Sequence, residues 1–217
     1  MPGSARSASN GARTRAPHSK APLPVIEFWM RVYPLLVLTV VVACTHHHEP
    51  AVRYLSRVES QPHAAAPGAQ HRLLATRADG AKEYALVLAR GDEVMSGLSE
   101  FARAEQVTAA SFTAIGAVRD PEVGWFDFEK QRYKAMRRDG QFEVLSLVGD
   151  IGQNAEGAAT VHAHASLGGE SGRAFGGHLI AATVSPTLEV FVTTYGAPLN
   201  KRRDPSNDVE LFQLSTP

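Results

Sequence analysis

Between Arg72 and Leu214 the chain repeats one pattern, a short apolar or alternating run followed by a break at Gly, Pro, Asp or Asn. Runs at 84–89, 108–116, 123–128, 142–149, 159–167, 178–184 and 188–195 read as strands. The last run, Val209 to Leu214, alternates with period 2, as a half-buried closing strand does. One segment departs from the rhythm. In 91–105, Val94, Leu98, Phe101 and Ala102 recur at three- and four-residue spacing. They stand behind Asp92, with Glu93 in the first turn, which predicts an amphipathic helix N-capped by Asp92. Many hairpin-spaced strands with one or two packed helices define an α+β domain on a mainly antiparallel sheet. Gly168-Gly169 and Gly176-Gly177 read as hairpin punctuation, because no strand-to-helix phosphate cradle follows them.

The remainder of the chain divides differently. Residues 1–29 are rich in Ser, Ala, Pro, Gly and Arg and cannot bury a core, so they are expected to be disordered. Arg31 then precedes a nearly uninterrupted apolar run of twelve residues, Val32 to Ala43. That is short of the roughly 20 needed to span a bilayer and matches the ~7–15 of a signal-peptide core. Met30-Arg31 opens a compact leader unaided, so 30–43 reads as the signal peptide and 1–29 as an extension from an overcalled start. Val41-Val42-Ala43-Cys44 resembles the lipobox of bacterial lipoproteins. The resemblance implies cleavage before Cys44, lipid on its sulfur, and a protein held on the cell envelope facing the periplasm or exterior. Residues 44–70 read as a flexible tether in which His46, His47 and His48 are solvated, and 71–217 as the domain. Cys44 is the single cysteine, which excludes both a disulfide framework and a thiolate zinc site. Any metal centre must use His and carboxylates.

Such a centre has candidates. His162 and His164 are separated by one residue of an apolar strand, so period-2 geometry puts both imidazoles on one face. Fourteen residues on, His178 opens the next strand across a Gly-rich connection, and hairpin pairing brings it beside the first two. Three neutral imidazoles with an open fourth position make a catalytic-type site for a divalent metal, zinc above all, although nickel, copper or iron also accept it. Glu143 and Glu170 are candidates for a fourth ligand or general base. The competing reading is a set of core histidines hydrogen-bonded to backbone and carboxylates.

Gly140-Gln141-Phe142-Glu143-Val144-Leu145 is similar to the Gly-Arg-Phe-Glu-Ile-Leu motif of the plant-and-prokaryote conserved (PPC) domain. The stretch Val161 to Gly168, followed by Gly172 to Leu179, resembles that family's later strands. The resemblance covers most of 72–214. It implies an antiparallel α/β domain that assembles as a homotrimer, with a histidine cluster that holds a metal in some prokaryotic members. It also implies a DNA-binding or regulatory role, as in plant members that carry AT-hooks. This chain has no Arg-Gly-Arg-Pro hook, and Gln141 replaces the motif's Arg, removing a guanidinium able to make paired hydrogen bonds.

Three functions therefore compete: a lipid-anchored metal- or small-ligand-binding domain, a nucleic-acid binder, and a metal-dependent enzyme acting through a bound water. Charge bears on the second. The chain is neutral, with 22 basic and 22 acidic residues, but 1–44 hold five basic residues (Arg6, Arg13, Arg15, Lys20, Arg31) against Glu27 alone. Residues 45–217 hold 17 basic and 21 acidic residues, a net of −4. Two basic clusters, Arg132 to Arg138 and Lys201 to Arg203, read as solvated faces or hairpin tips.

Overall fold

The alternating runs become antiparallel strands in the computed structural model, which describes residues 52–56, 64–206 and 209–214. The N-terminal extension, the signal-peptide segment, Cys44 and His46 to His48 lie outside the described residues. The elements are β1 (Val52–Leu55), β2 (Gln70–Thr76), β3 (Lys82–Ala89), α1 (Val94–Ala104), β4 (Ala110–Asp127) and β5 (Arg132–Arg137). They continue with β6 (Gln141–Gln153), β7 (Ala159–Gly168), β8 (Ala174–Thr194), β9 (Lys201–Arg203) and β10 (Glu210–Phe212).

Eight strands form one sheet in the order β1-β5-β4-β6-β7-β8-β3-β2, and β4 also pairs with β8. The strands β4, β6, β7 and β8 thus close on themselves, with β5–β1 and β3–β2 as extensions. β9 and β10 form a separate hairpin. Inside the curl, Leu86 and Leu88 of β3, Leu98 of α1, and Leu188 and Val190 of β8 are at most 1% exposed. Their burial against the helix is the main driving force for closing the sheet.

Two expected pairs of strands are each one long strand. The runs at 108–116 and 123–128 are joined in β4 through Pro121, and those at 178–184 and 188–195 in β8 through Pro186. Both prolines fall where the β4–β8 register shifts, between Arg119 and Glu122 and between Gly116 and Val118. A bulge has no ladder hydrogen bond for proline to break, so the strand bends and continues.

The helix begins one residue later than expected. Glu93, not Asp92, is its N-cap, accepting hydrogen bonds from the amides of Met95 (3.1 Å) and Ser96 (2.7 Å). Asp92 is also buried, but its carboxylate accepts from the amides of Gly68 (2.9 Å) and Ala89 (2.8 Å) and so ties the incoming chain to the end of β3.

The stretch read as a tether contains a strand, β1. Arg53 makes a two-point ion pair with the buried Glu122 (2.8 and 2.7 Å), and Leu55 packs with Ala135 and Ile180. A run as short as Val52-Arg53-Tyr54-Leu55 carries too little pattern to announce a strand; the open edge of β5 supplies the order. No helix among the described residues is long and apolar enough to cross a membrane.

Candidate metal centre

The β7–β8 hairpin does what the histidine spacing requires. His164 lies directly opposite His178, and His162 projects from the same face two residues earlier. The strands approach closely because of two glycines that are not in the turn, contrary to their reading as hairpin punctuation. A Cβ on Gly176 would lie 2.2 Å from the Ala165 carbonyl oxygen, and one on Gly177 would lie 2.6 Å from that of Gly124. Only glycine lets β8 pass between β7 and β4 at this point and deliver His178.

One ligand atom from each of His162, His164 and His178 lies within 4.8 Å of the others. Tetrahedral coordination with zinc–nitrogen bonds of ~2.0–2.1 Å spaces nitrogens about 3.4 Å apart, so small side-chain rotations complete the set. Ring centroids are 5.1 Å (His162–His164), 5.2 Å (His162–His178) and 5.6 Å (His164–His178) apart. Tyr133 of β5 stacks on His178 at 4.6 Å with 15° between planes, fixing that ring from behind. Burial, then repulsion from His162, lower the pKa of His164 below its usual 6.5, against a smaller opposing pull from Asp150. The ring is neutral at pH 7, the form that binds a metal.

The carboxylate beside this cluster is Asp150, which the sequence did not single out. It sits opposite His162 across the β6–β7 pair, with Oδ2 3.4 Å from His162 Nδ1. Its other oxygen meets the ammonium of Lys201. Burial alone would raise the Asp150 carboxyl; hydrogen bonds to His162 and Lys201 and the Lys201 charge outweigh it and hold the group below the ordinary range. Lys201, read as part of a solvated tip, is 4% exposed, whereas Arg202 and Arg203 do face solvent.

Glu143 and Glu170 are not part of the cluster. Glu143 is exposed and pairs with Gly168 at the other end of the β6–β7 ladder, seven residues or roughly 23 Å along β6 from Asp150. Glu170 is exposed in the β7–β8 turn. Of the motif residues, Gly140 precedes and Gln141 opens β6 on the surface, Phe142 packs edge-on against Phe175 at 5.1 Å, Val144 is buried and Leu145 is exposed.

A curled antiparallel sheet with one helix and an outward three-histidine cluster is the class of domain defined here. The chain belongs to the Plants and Prokaryotes Conserved (PCC) domain family, whose model matches residues 75–196, more than half its length. Among solved structures it is similar to a plant- and prokaryote-conserved (PPC) protein from Pyrococcus horikoshii, at 28% identity and a TM-score of 0.58, covering 68% of this chain and 97% of that one. It is similar to a metal-containing protein from Archaeoglobus fulgidus (28% identity, TM-score 0.57, 66% of this chain and 98% of that one). A candidate DNA-binding protein from Ralstonia eutropha JMP134 matches as well (28%, 0.58, 66% and 96%). No curated protein matches significantly.

Proposed function

We propose that this protein is a lipid-anchored, homotrimeric PCC-domain protein of the cell envelope that holds a divalent metal, zinc by preference, on His162, His164 and His178. The observation that carries the reading is the convergence of three imidazole ligand atoms within 4.8 Å on an outward sheet face. The donor set fits: three borderline nitrogen ligands with no thiolate suit zinc and leave a coordination position open. A metal so held acts as a Lewis acid toward a bound ligand or water. The chain's own residues supply orientation, with Tyr133 backing His178 and Asp150 facing His162. The metal-containing Archaeoglobus relative supports the same reading.

Assembly is supported by the face around the cluster. Ile115 is 62% exposed, Phe191 57% and Val148 46%, and Val148 lies directly opposite His164. Exposed apolar side chains on the face that carries a binding site are what an oligomer covers. The anchor rests on the lipobox resemblance at 41–44. Its test is fractionation: the wild type stays with membranes, and Cys44→Ala is released or retained unprocessed. Equal membrane retention and processing of both would overturn it.

Metal analysis of protein purified without a histidine tag tests the central claim. The wild type should carry about one equivalent per chain and His162→Ala less than about a tenth, as expected when one of three ligands is lost. Wild-type content below a tenth, unchanged in His162→Ala, sinks it. DNA binding is the competing reading, carried by the name of the Ralstonia relative. The net charge of −4 after residue 44 and the burial of Lys201 against Asp150 both reduce the cationic surface available to phosphates. A gel shift that weakens with salt would favour DNA; none at low salt ends that reading.

A further inference from the structure

We propose that Asp150 and Lys201 form a positioning relay that fixes His162 through its Nδ1, leaving Nε2 for the metal, so that the C-terminal segment is a working part of the metal centre. The inference rests on the metal reading of the histidine cluster but extends it to Lys201, a residue outside the matched family model. The family model ends at residue 196, five residues before Lys201.

His162 and Asp150 are direct cross-strand partners, and Nδ1 faces Oδ2 at 3.4 Å, so closing by a few tenths of an ångström gives a normal hydrogen bond. A neutral imidazole carries one N–H, and donating it from Nδ1 leaves the lone pair on Nε2. Asp150 is therefore the outer carboxylate that sets the tautomer of a metal-binding histidine. Lys201 in turn holds Asp150 by its second oxygen, and does so from a buried position, with Nζ 3.5 Å from the Thr160 carbonyl and 5.0 Å from the centre of the Phe212 ring. A buried ammonium persists only beside a counter-charge, so the pair is mutually enforcing.

The chain is built to bring Lys201 there. Gln153 donates its amide to the Leu199 carbonyl (2.9 Å) and its side-chain amide to Asn200 (2.8 Å), pinning 199–200 to the end of β6. The slot is opened by Gly152, where a Cβ would lie 2.7 Å from the Leu199 oxygen and 3.0 Å from Lys201 Cε. Asp150 stands between Lys201 and His162, with one oxygen on the ammonium and the other facing the imidazole. Lys201 acts through Asp150, as a positioning residue.

The test uses the full chain. Long-range proton–nitrogen NMR on metal-free, histidine-labelled protein should show His162 as the Nδ1–H tautomer, and Asp150→Ala should shift it toward Nε2–H. Zinc affinity by chelator competition should fall about 10–100-fold in Asp150→Asn and Lys201→Met, the range typical of outer-shell partners. An Nε2–H tautomer for His162 in the wild type, or zinc affinities within about twofold of wild type in both variants, overturns the relay. The two readings separate cleanly. Zinc bound equally by wild type and both variants ends the relay and keeps the metal reading. Wild type that binds no zinc ends the metal reading and the relay's role in a metal centre, and an Nδ1–H tautomer would then report only the Asp150–His162 hydrogen bond.

Discussion

The two faces of β7 and β8 obey one alternation and end with opposite chemistry. Inward, Ala163, Ala165 and Leu167 of β7 and Leu188, Val190 and Val192 of β8 are all buried. Outward, the same strands present His162, His164 and Ser166, then Glu189, Phe191 and Thr193. The inner face is apolar because α1 covers it. The outer face, though uncovered in the single chain, is also partly apolar, with Val148 opposite His164 and Ile115 and Phe191 exposed farther across the sheet. Period 2 sorts side chains into two sets without saying what each set is for. The helix claims one for stability, and the other stays uncovered in the single chain.

The sharpest way to break this division is a matched pair of substitutions on β8. Leu188 is fully buried, so Leu188→Ala should cost about 2–5 kcal/mol through lost contacts and the cavity left behind. The readout is a lower urea midpoint, with zinc affinity of the folded fraction unchanged. Phe191, three residues on, faces out. Phe191→Ala should move unfolding by less than about 0.5 kcal/mol at concentrations where the chain is monomeric. Light scattering across a dilution series should instead show that the proposed trimer is weakened. Equal destabilisation by the two changes would mean that the outer face is also core.

A polar edge of the inner face, at Tyr84, sets a smaller, pH-dependent effect. Tyr84 is 2% exposed and donates its hydroxyl to Glu105 (2.7 Å), which also bonds His71 (2.9 Å). Burial, then the Glu105 contact, raise the phenol from 10.0 to about 12. The Tyr84 hydrogen bond, then that of His71, lower Glu105. The neutral phenol is the form the fold favours, so its contribution is fully present below pH 10 and lost as pH rises toward about 12. The Glu105 contribution has the opposite sense: present above the ordinary carboxyl range, lost as pH falls through its lowered value. Tyr84→Phe should cost about 1–3 kcal/mol at neutral pH, typical of a hydrogen bond to a charged group, and flatten the alkaline slope. Urea midpoints from pH 4 to 12 read both limbs, and an unchanged alkaline slope in Tyr84→Phe would refute the assignment.

The strands, the helix and the histidine trio were legible because each is a local pattern. Val94, Leu98 and Phe101 announce a helix, and His162 with His164 announce a shared face whatever the partner strand. What escaped needed a register. Asp150 is one residue beyond the expected strand at 142–149, and only the pairing of β6 with β7 puts it opposite His162. Glu143, a candidate ligand or base within that run, lies at the wrong end of the same ladder. Lys201 gave no signal, since a lysine in a Lys-Arg-Arg run is ordinarily solvated; its burial depends on the space above Gly152. The Pro121 and Pro186 breaks misled for a related reason, because a bulge is a property of two strands and a sequence shows one at a time.

The smallest expected effect probes the far end of β6, where the family motif departs. Gln141 is exposed and pairs with Arg119, whose guanidinium already bonds Asp120 (3.1 Å). Restoring the motif with Gln141→Arg places two guanidinium groups across one pair of strands, with Cβ atoms ~4.5–5.5 Å apart. Like charges so placed repel, while the exposed setting and the neighbouring Asp120 limit the cost to under about 0.5 kcal/mol. The loss should be measurable by scanning calorimetry in dilute buffer and vanish near 1 M salt, where the screening length is ~3 Å. Zinc affinity should not move, because this end of β6 lies nine residues, about 30 Å, from Asp150. A change in metal binding here would show that the two ends of the sheet are coupled and that the outer face acts as one surface rather than a local site.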